Sequence, residues 1–228
     1  MFTPITALAQ SFFLLRRYPL EYIAAGSAVA LAFVSSVVPF LSFVTQPFAI
    51  GAMFNLTVNA RSNDIPTTDE FISGGKNRFM VLLKAIVIEA AVLLFVVGGT
   101  VVPGLVLFTQ YSFEFTYVAL GLLTAILISI QFFSIAIVRD NFNALESFKY
   151  SIMLVEENIL PVLGYSVIRV FIPMVLFLLT FFVGGVALSY SEPLGAVTLA
   201  ILLPATTVVS ISIHYVYHTE FYSLIAPE

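Results

Sequence analysis

NRFMVLLKAIVIEAAVLLFVV, residues 77–97, is the stretch on which the reading of this chain turns. At 1.5 Å per residue, about 20 apolar residues in a helix cross the ~30 Å hydrocarbon core of a bilayer. Two opposite charges, Lys84 and Glu89, interrupt it. Where water is absent, an ionised side chain needs a partner or must reach an interface along its own stem. The stretch therefore predicts a transmembrane helix and asks what its two charges meet.

The rest of the 228 residues agrees with it. The chain is 60% hydrophobic and 10% charged, whereas soluble domains carry about a quarter charged residues. Its mean hydropathy is +1.06. No polar stretch is long enough for a separate soluble domain, so residues 1–228 are expected to form one integral membrane domain. The absence of cysteine excludes disulfides, thiol catalysis and thiolate metal sites. Tryptophan is absent too, so an aromatic belt would come from the 10 tyrosines and 23 phenylalanines. A net charge of −4 without a basic run argues against nucleic acid as a partner. In MFTPITALAQSFFLLRR the arginines follow the apolar residues, the wrong order for a cleavable signal peptide.

Working outward from residues 77–97, the expectation is an all-α fold of six transmembrane helices with short cytoplasmic interfacial helices. An amphipathic surface helix covers 5–18. The first span runs over 22–38 and stops at Pro39, with Ala24, Ala28, Ala32 and Ser36 forming a small-residue face for close packing. The second covers 40–60 and is kinked at Pro47. Asn55-Leu56-Thr57 matches a glycosylation sequon but falls inside this span and is set aside. Thr67 and Glu70 make a capping box, opening a short interfacial helix through Phe71 and Ile72 that ends at Gly74-Gly75. The third span takes 77–102, an outer turn 105–115, and the fourth span 116–138 with Gln131 inside. Asn143 caps another interfacial helix over 144–154. The fifth span is 158–186, with Pro161, Arg169 and Pro173; the sixth is 194–215, followed by a tail at 216–228.

Arg16, Arg17, Arg61, Lys76, Arg78, Arg139 and Lys149 all fall on one side of this arrangement, and the three opposite loops carry no lysine or arginine. The positive-inside rule then puts both termini in the cytoplasm of a multi-pass protein of the cell membrane. Three units of surface helix plus two spans enter from the same side, as parallel repeats do in transporters. Any six-span chain with both ends on one side also consists of three hairpins.

QFFSIAIVRDNFNALESFKYSIMLVEENILPVLGYSVI, residues 131–168, and DEFISGGKNRFMVLLKAIV, residues 69–87, carry a resemblance. They look like recurrent blocks of an uncharacterised archaeal six-helix membrane protein family. That family in turn resembles the membrane domain of glycerophosphoryl diester phosphodiesterases. The pattern extends over nearly the whole chain, though its motifs are short and mostly mark helix junctions. The resemblance implies a six-helix membrane scaffold with no assigned activity. It does not imply phosphodiesterase chemistry, which in those enzymes belongs to a separate soluble barrel with no counterpart here.

Four residues form a candidate intramembrane polar seam: Lys84, Glu89, Gln131 and Arg169. Counted from the basic side, Glu89 lies about 18 Å deep, Arg169 about 16 Å and Lys84 about 10 Å. Glu89 is expected to pair with Arg169, and Lys84 to snorkel near Gln131. Such a seam is either a substrate or proton path or an ion pair that fixes which helices are neighbours; the second reading is the plainer. His214 and His218, four apart in HYVYHTE, have a spacing that can hold zinc, but Tyr215 stands where a metalloprotease helix has its glutamate. They read instead as tip residues at the end of span six, and no metal or cofactor is expected. Gly74-Gly75-Lys76 lacks the rest of a phosphate-binding loop, and no Ser-His-Asp order is present, so no enzyme is expected. The expected partners are membrane lipids, with a protein partner or a second copy in the membrane. The expected role is accessory or scaffolding, the alternative a transporter or permease for a small solute or lipid.

Overall fold

A computed structural model of the chain describes residues 3–37, 39–62, 65–96, 98–99 and 112–226. Among these residues the fold is helical throughout, with no strand. In chain order the helices are α1 (Thr3–Arg17), α2 (Pro19–Val34), a 3-10 turn (Ser35–Val37), α3 (Pro39–Arg61), α4 (Thr68–Val96) and α5 (Ser112–Ile130). They continue with α6 (Phe133–Arg139), α7 (Ala144–Glu157), α8 (Ile159–Tyr190) and α9 (Glu192–Ile225). Five stretches are long and apolar enough to cross a membrane: Leu41–Arg61, Thr68–Val96, Tyr117–Arg139, Ile159–Tyr190 and Glu192–Ile225. The first expected span is shorter than these. Its helix α2 has 16 residues and gives way to the 3-10 turn before Pro39, which opens α3 where its missing N–H goes unneeded. The expected turn at 105–115 lies outside the described residues as far as 111.

Three other boundaries differ from expectation, each for a local reason. Gly74-Gly75 does not end a helix; α4 runs unbroken through both. The glycines sit where α3 presses closest: a Cβ on Gly74 would overlap the Asn55 side chain, and one on Gly75 would come within 2.6 Å of the Phe48 ring. Their small size serves packing rather than termination. The span at 116–138 is broken at Gln131-Phe132, between α5 and α6. Ser151 of α7 reaches into the break, accepting from Phe132 N at 3.1 Å and donating to Ser129 O at 2.9 Å. A side chain inserted in the backbone ladder is a recognised cause of such a bend.

The third difference concerns the end of the chain. The expected tail from 216 onward is instead the last part of α9, which reaches Ile225. Polar residues there are matched inside the protein. Thr219 shares a 2.8 Å hydrogen bond with Thr57 of α3, and Glu220 lies 3.6 Å from Arg61. Both caps are as expected: Thr67 N donates to Glu70 Oε2 at 2.9 Å, and Asn143 Oδ1 accepts from Leu145 N and Glu146 N at 3.0 Å, where Glu146 completes a capping box that the sequence reading did not include.

α3 packs on α4, α8 on α9, and α1 lies along α9 and α8, burying Ala7, Ser11 and Leu14. Burial concentrates where these elements meet, in Phe132–Val138 and 212–222, around the rings of Phe132, Tyr165, Tyr217, Phe221 and Tyr222. The far halves of α8 and α9 are different. Leu178, Phe182, Val186, Leu194 and Ile201 are apolar and exposed, and a surface of that kind asks for lipid or a partner.

Ser151→Ala is expected to destabilise the fold by about 1–3 kcal/mol, because it leaves the buried Phe132 N–H without an acceptor. Unfolding of the detergent-solubilised protein measures this. An unchanged midpoint would mean that the break does not depend on Ser151.

Candidate binding cavity

The break between α5 and α6 leaves Gln131 beside α8. Its Oε1 accepts from Arg169 Nη1 at 3.2 Å and from Ser166 Oγ at 3.4 Å. Arginine only donates, so this contact fixes the amide orientation and leaves Gln131 Nε2 as the free donor. That nitrogen is buried and has no partner. The rest of the Arg169 guanidinium faces His214, with Nε and Nη2 each 3.2 Å from a ring nitrogen. The lone-pair directions of an imidazole diverge, so at most one of these is a full hydrogen bond, and the nitrogen that takes it carries no proton.

One turn along, Tyr165 of α8 shares a hydrogen bond with His218 Nδ1 on α9. His218 is 2% exposed, its ring 5.1 Å from Phe132 and 6.1 Å from His214, and its Nε2 has no partner. The two α9 histidines thus share a face, as their spacing predicts. They are not tip residues. The helix continues beyond them, His218 is buried, and His214 is half-buried against Arg169.

These groups line a cavity of about 600 Å³, within the size range of small-molecule sites. Its wall includes Glu89, Gln131, Arg169, His214 and His218, with Phe33, Ile50, Leu127, Ile128 and Val170 supplying apolar surface. Three of the four seam residues therefore meet in one place. Glu89 and Arg169 share the wall without forming the expected ion pair: among the described residues the ion pairs within 4.0 Å are Arg61–Glu220 and Arg139–Asp140. Lys84 is exposed and lines a different hollow, with Asn143, Ala144 and Leu145. Among the described residues no group of three or more His, Cys, Asp or Glu side chains is placed to hold a metal ion.

Tyr165, Ser166 and Phe132 belong to the site and carry no sequence motif. A signal for Tyr165 does exist in the spacing. Arg169 is 22 residues before Ser191 and His214 is 23 after it; Tyr165 is 26 before and His218 is 27 after. Helices folded back at Ser191 must bring these residues opposite one another, Tyr165 to His218 and Arg169 to His214. A second polar hollow of about 340 Å³ lies near the ends of α3, α6 and α9, lined by Arg61, Ser62, Arg139 and Thr219. Beside it Tyr222 donates to Asp140, and Arg139 stands 5.4 Å over the Tyr222 ring. Tyr150 of α7 packs edge-on to Tyr222, its phenol pushed above the usual tyrosine value by burial first and then by Asp140.

The fold and cavity define a class: a helical bundle with several membrane-length apolar helices and a cavity lined by both polar and apolar side chains. The particular group follows from comparison, in which the model of a domain of unknown function, DUF7847, matches residues 3–225; the chain belongs to that family. No curated protein and no solved structure matches it.

Proposed function

We propose that the chain is a multi-pass membrane protein that binds a small solute or lipid in this cavity and acts as a transporter or permease. The observation that carries the reading is the roughly 600 Å³ cavity, with an arginine, a glutamate, a glutamine and two histidines in its wall and apolar helices around it. An accessory scaffold, the role first expected, needs no such space; a closed and fully packed seam would suit it better. Six crossings are reached when the short α2 is included, with both termini cytoplasmic. Arg61 and Arg139, from two of the basic junctions, line a common hollow, which supports placing those junctions on one side. The likeness of residues 69–87 and 131–168 to archaeal membrane proteins and to phosphodiesterase membrane domains supports the membrane part of this proposal.

A chain without cysteine allows a direct test. Ser134→Cys places a thiol in the cavity wall, whereas Leu94→Cys places one on an exposed apolar face. The thiolate, which forms only where water reaches, attacks a thiosulfonate reagent, forming a mixed disulfide and releasing a sulfinate. In membranes, the cysteine at 134 is expected to react and the one at 94 to stay unlabelled. An unreactive thiol at 134 would remove the cavity reading and favour the scaffold.

A further inference from the structure

Resting on that binding reading, we infer that the ligand is an amphiphilic anion: an oxyanion head held by Arg169, with an apolar tail along Phe33, Ile50, Leu127 and Val170. Three features of the wall converge on this class. Arg169 has no carboxylate within 4.0 Å among the described residues, and its hydrogen-bond partners are the uncharged Gln131 and His214. With no carboxylate within reach of a direct contact, the guanidinium keeps its charge for an anion that enters the cavity.

The second feature is the kind of polar atom left over. Gln131 Nε2 is a donor without an acceptor. His218 Nε2 also lacks a partner, and it is a donor in the tautomer in which Tyr165 gives its hydroxyl proton to Nδ1. The Gln131 donor beside a guanidinium, joined by His218 Nε2 in that tautomer, suits a head group rich in acceptor oxygens, a carboxylate or a phosphate, and not a cation or an amine. The third feature is the apolar remainder of the wall, which gives a hydrocarbon tail a surface that a small hydrated anion would leave bare. Glu89, on the same wall, favours the singly charged carboxylate over a phosphate monoester where the head lies close to it.

Native mass spectrometry of the full chain in a neutral maltoside detergent tests the inference. The probes are oleate, a single-chain lysophosphatidate, oleyl alcohol and acetate. The expected result is one bound oleate or lysophosphatidate, at least about ten-fold tighter than oleyl alcohol or acetate, since a hydrogen-bonded charge is worth about 1.5–3 kcal/mol. The tighter of the two anions identifies the head group. Arg169→Met removes the charge. Gln131→Glu is nearly isosteric and sets a fixed carboxylate on the position 3.2 Å from Arg169, so it also serves where the methionine variant fails to fold. Either variant is expected to lose at least about ten-fold in affinity for the anion. Equal binding of oleyl alcohol, equal binding of acetate, or undiminished binding by a folded variant overturns the inference. The two readings fail separately: a labelled thiol at 134 together with tight alcohol binding keeps the cavity and removes the anion.

Discussion

Phe132→Ala is expected to lower the unfolding free energy by about 3–5 kcal/mol, the range for deleting a buried aromatic ring. Phe132 is fully buried, and its ring centroid lies 5.7 Å from Tyr165, 5.1 Å from His218, and 5.9 Å from both Phe221 and Tyr222. It is the hub joining the α5–α6 break to α8 and α9. Removing the ring loses its apolar burial and leaves a space whose walls are themselves anchored: Tyr165 and His218 hold each other, and Tyr222 is held by Asp140. Walls fixed in this way collapse poorly, which puts the cost toward the upper part of the range. Phe132→Leu keeps most of the volume and should lose less. Denaturant or thermal unfolding of the purified protein measures both, and an alanine variant within 1 kcal/mol of wild type, on the order of measurement scatter, would show that the ring cluster is not a cooperative unit.

Gly74→Ala is expected to cost about 1–3 kcal/mol, although alanine is the better helix former by about 1 kcal/mol. The added methyl has nowhere to go, because it meets the Asn55 side chain on α3, whose Nδ2 is held by Glu70 O at 2.8 Å. Gly185→Ala makes the matched comparison. Nothing lies within 4 Å of the new carbon there, so stability should stay level or rise slightly. Opposite signs for the two substitutions in one melting experiment are the expected result. Equal signs would mean that backbone propensity outweighs the α3–α4 contact.

Much of the fold could be read from the sequence because apolar length and helix caps are local properties. The runs behind α3, α4, α8 and α9, and the Thr67 and Asn143 caps, are of that kind. The boundaries that differed depend on distant residues. Gly74-Gly75 has the composition of a helix stop, and only Phe48 and Asn55 across the interface explain why it is not one. The break at Gln131 is invisible in an apolar run, since the hydroxyl that opens it belongs to Ser151, 20 residues away. The same limit applied to the site. Depth counting placed Glu89 and Arg169 near one level, and they do share a cavity; it set Gln131 shallower, beside Lys84, whereas Gln131 lines that same cavity and Lys84 does not. It could not tell that Arg169 would turn to His214, because HYVYHTE resembles a helix tip until the helix that follows it is known.

The length of the α8–α9 hairpin has a consequence for how a ligand would arrive. With 32 and 34 residues these helices measure about 48 and 51 Å, well beyond the ~30 Å of a hydrocarbon layer. With the Ser191 turn set at the far face of a bilayer, about 20 residues of each helix fill that layer. Arg169 and His214 then stand at its lip, level with the phosphates of the basic-side leaflet, and the aromatic cluster around Phe132 forms a plinth below. On that placement the charged wall of the cavity lies at the height of the lipid head groups. A tailed anion could slide into it from the leaflet without first leaving the lipid.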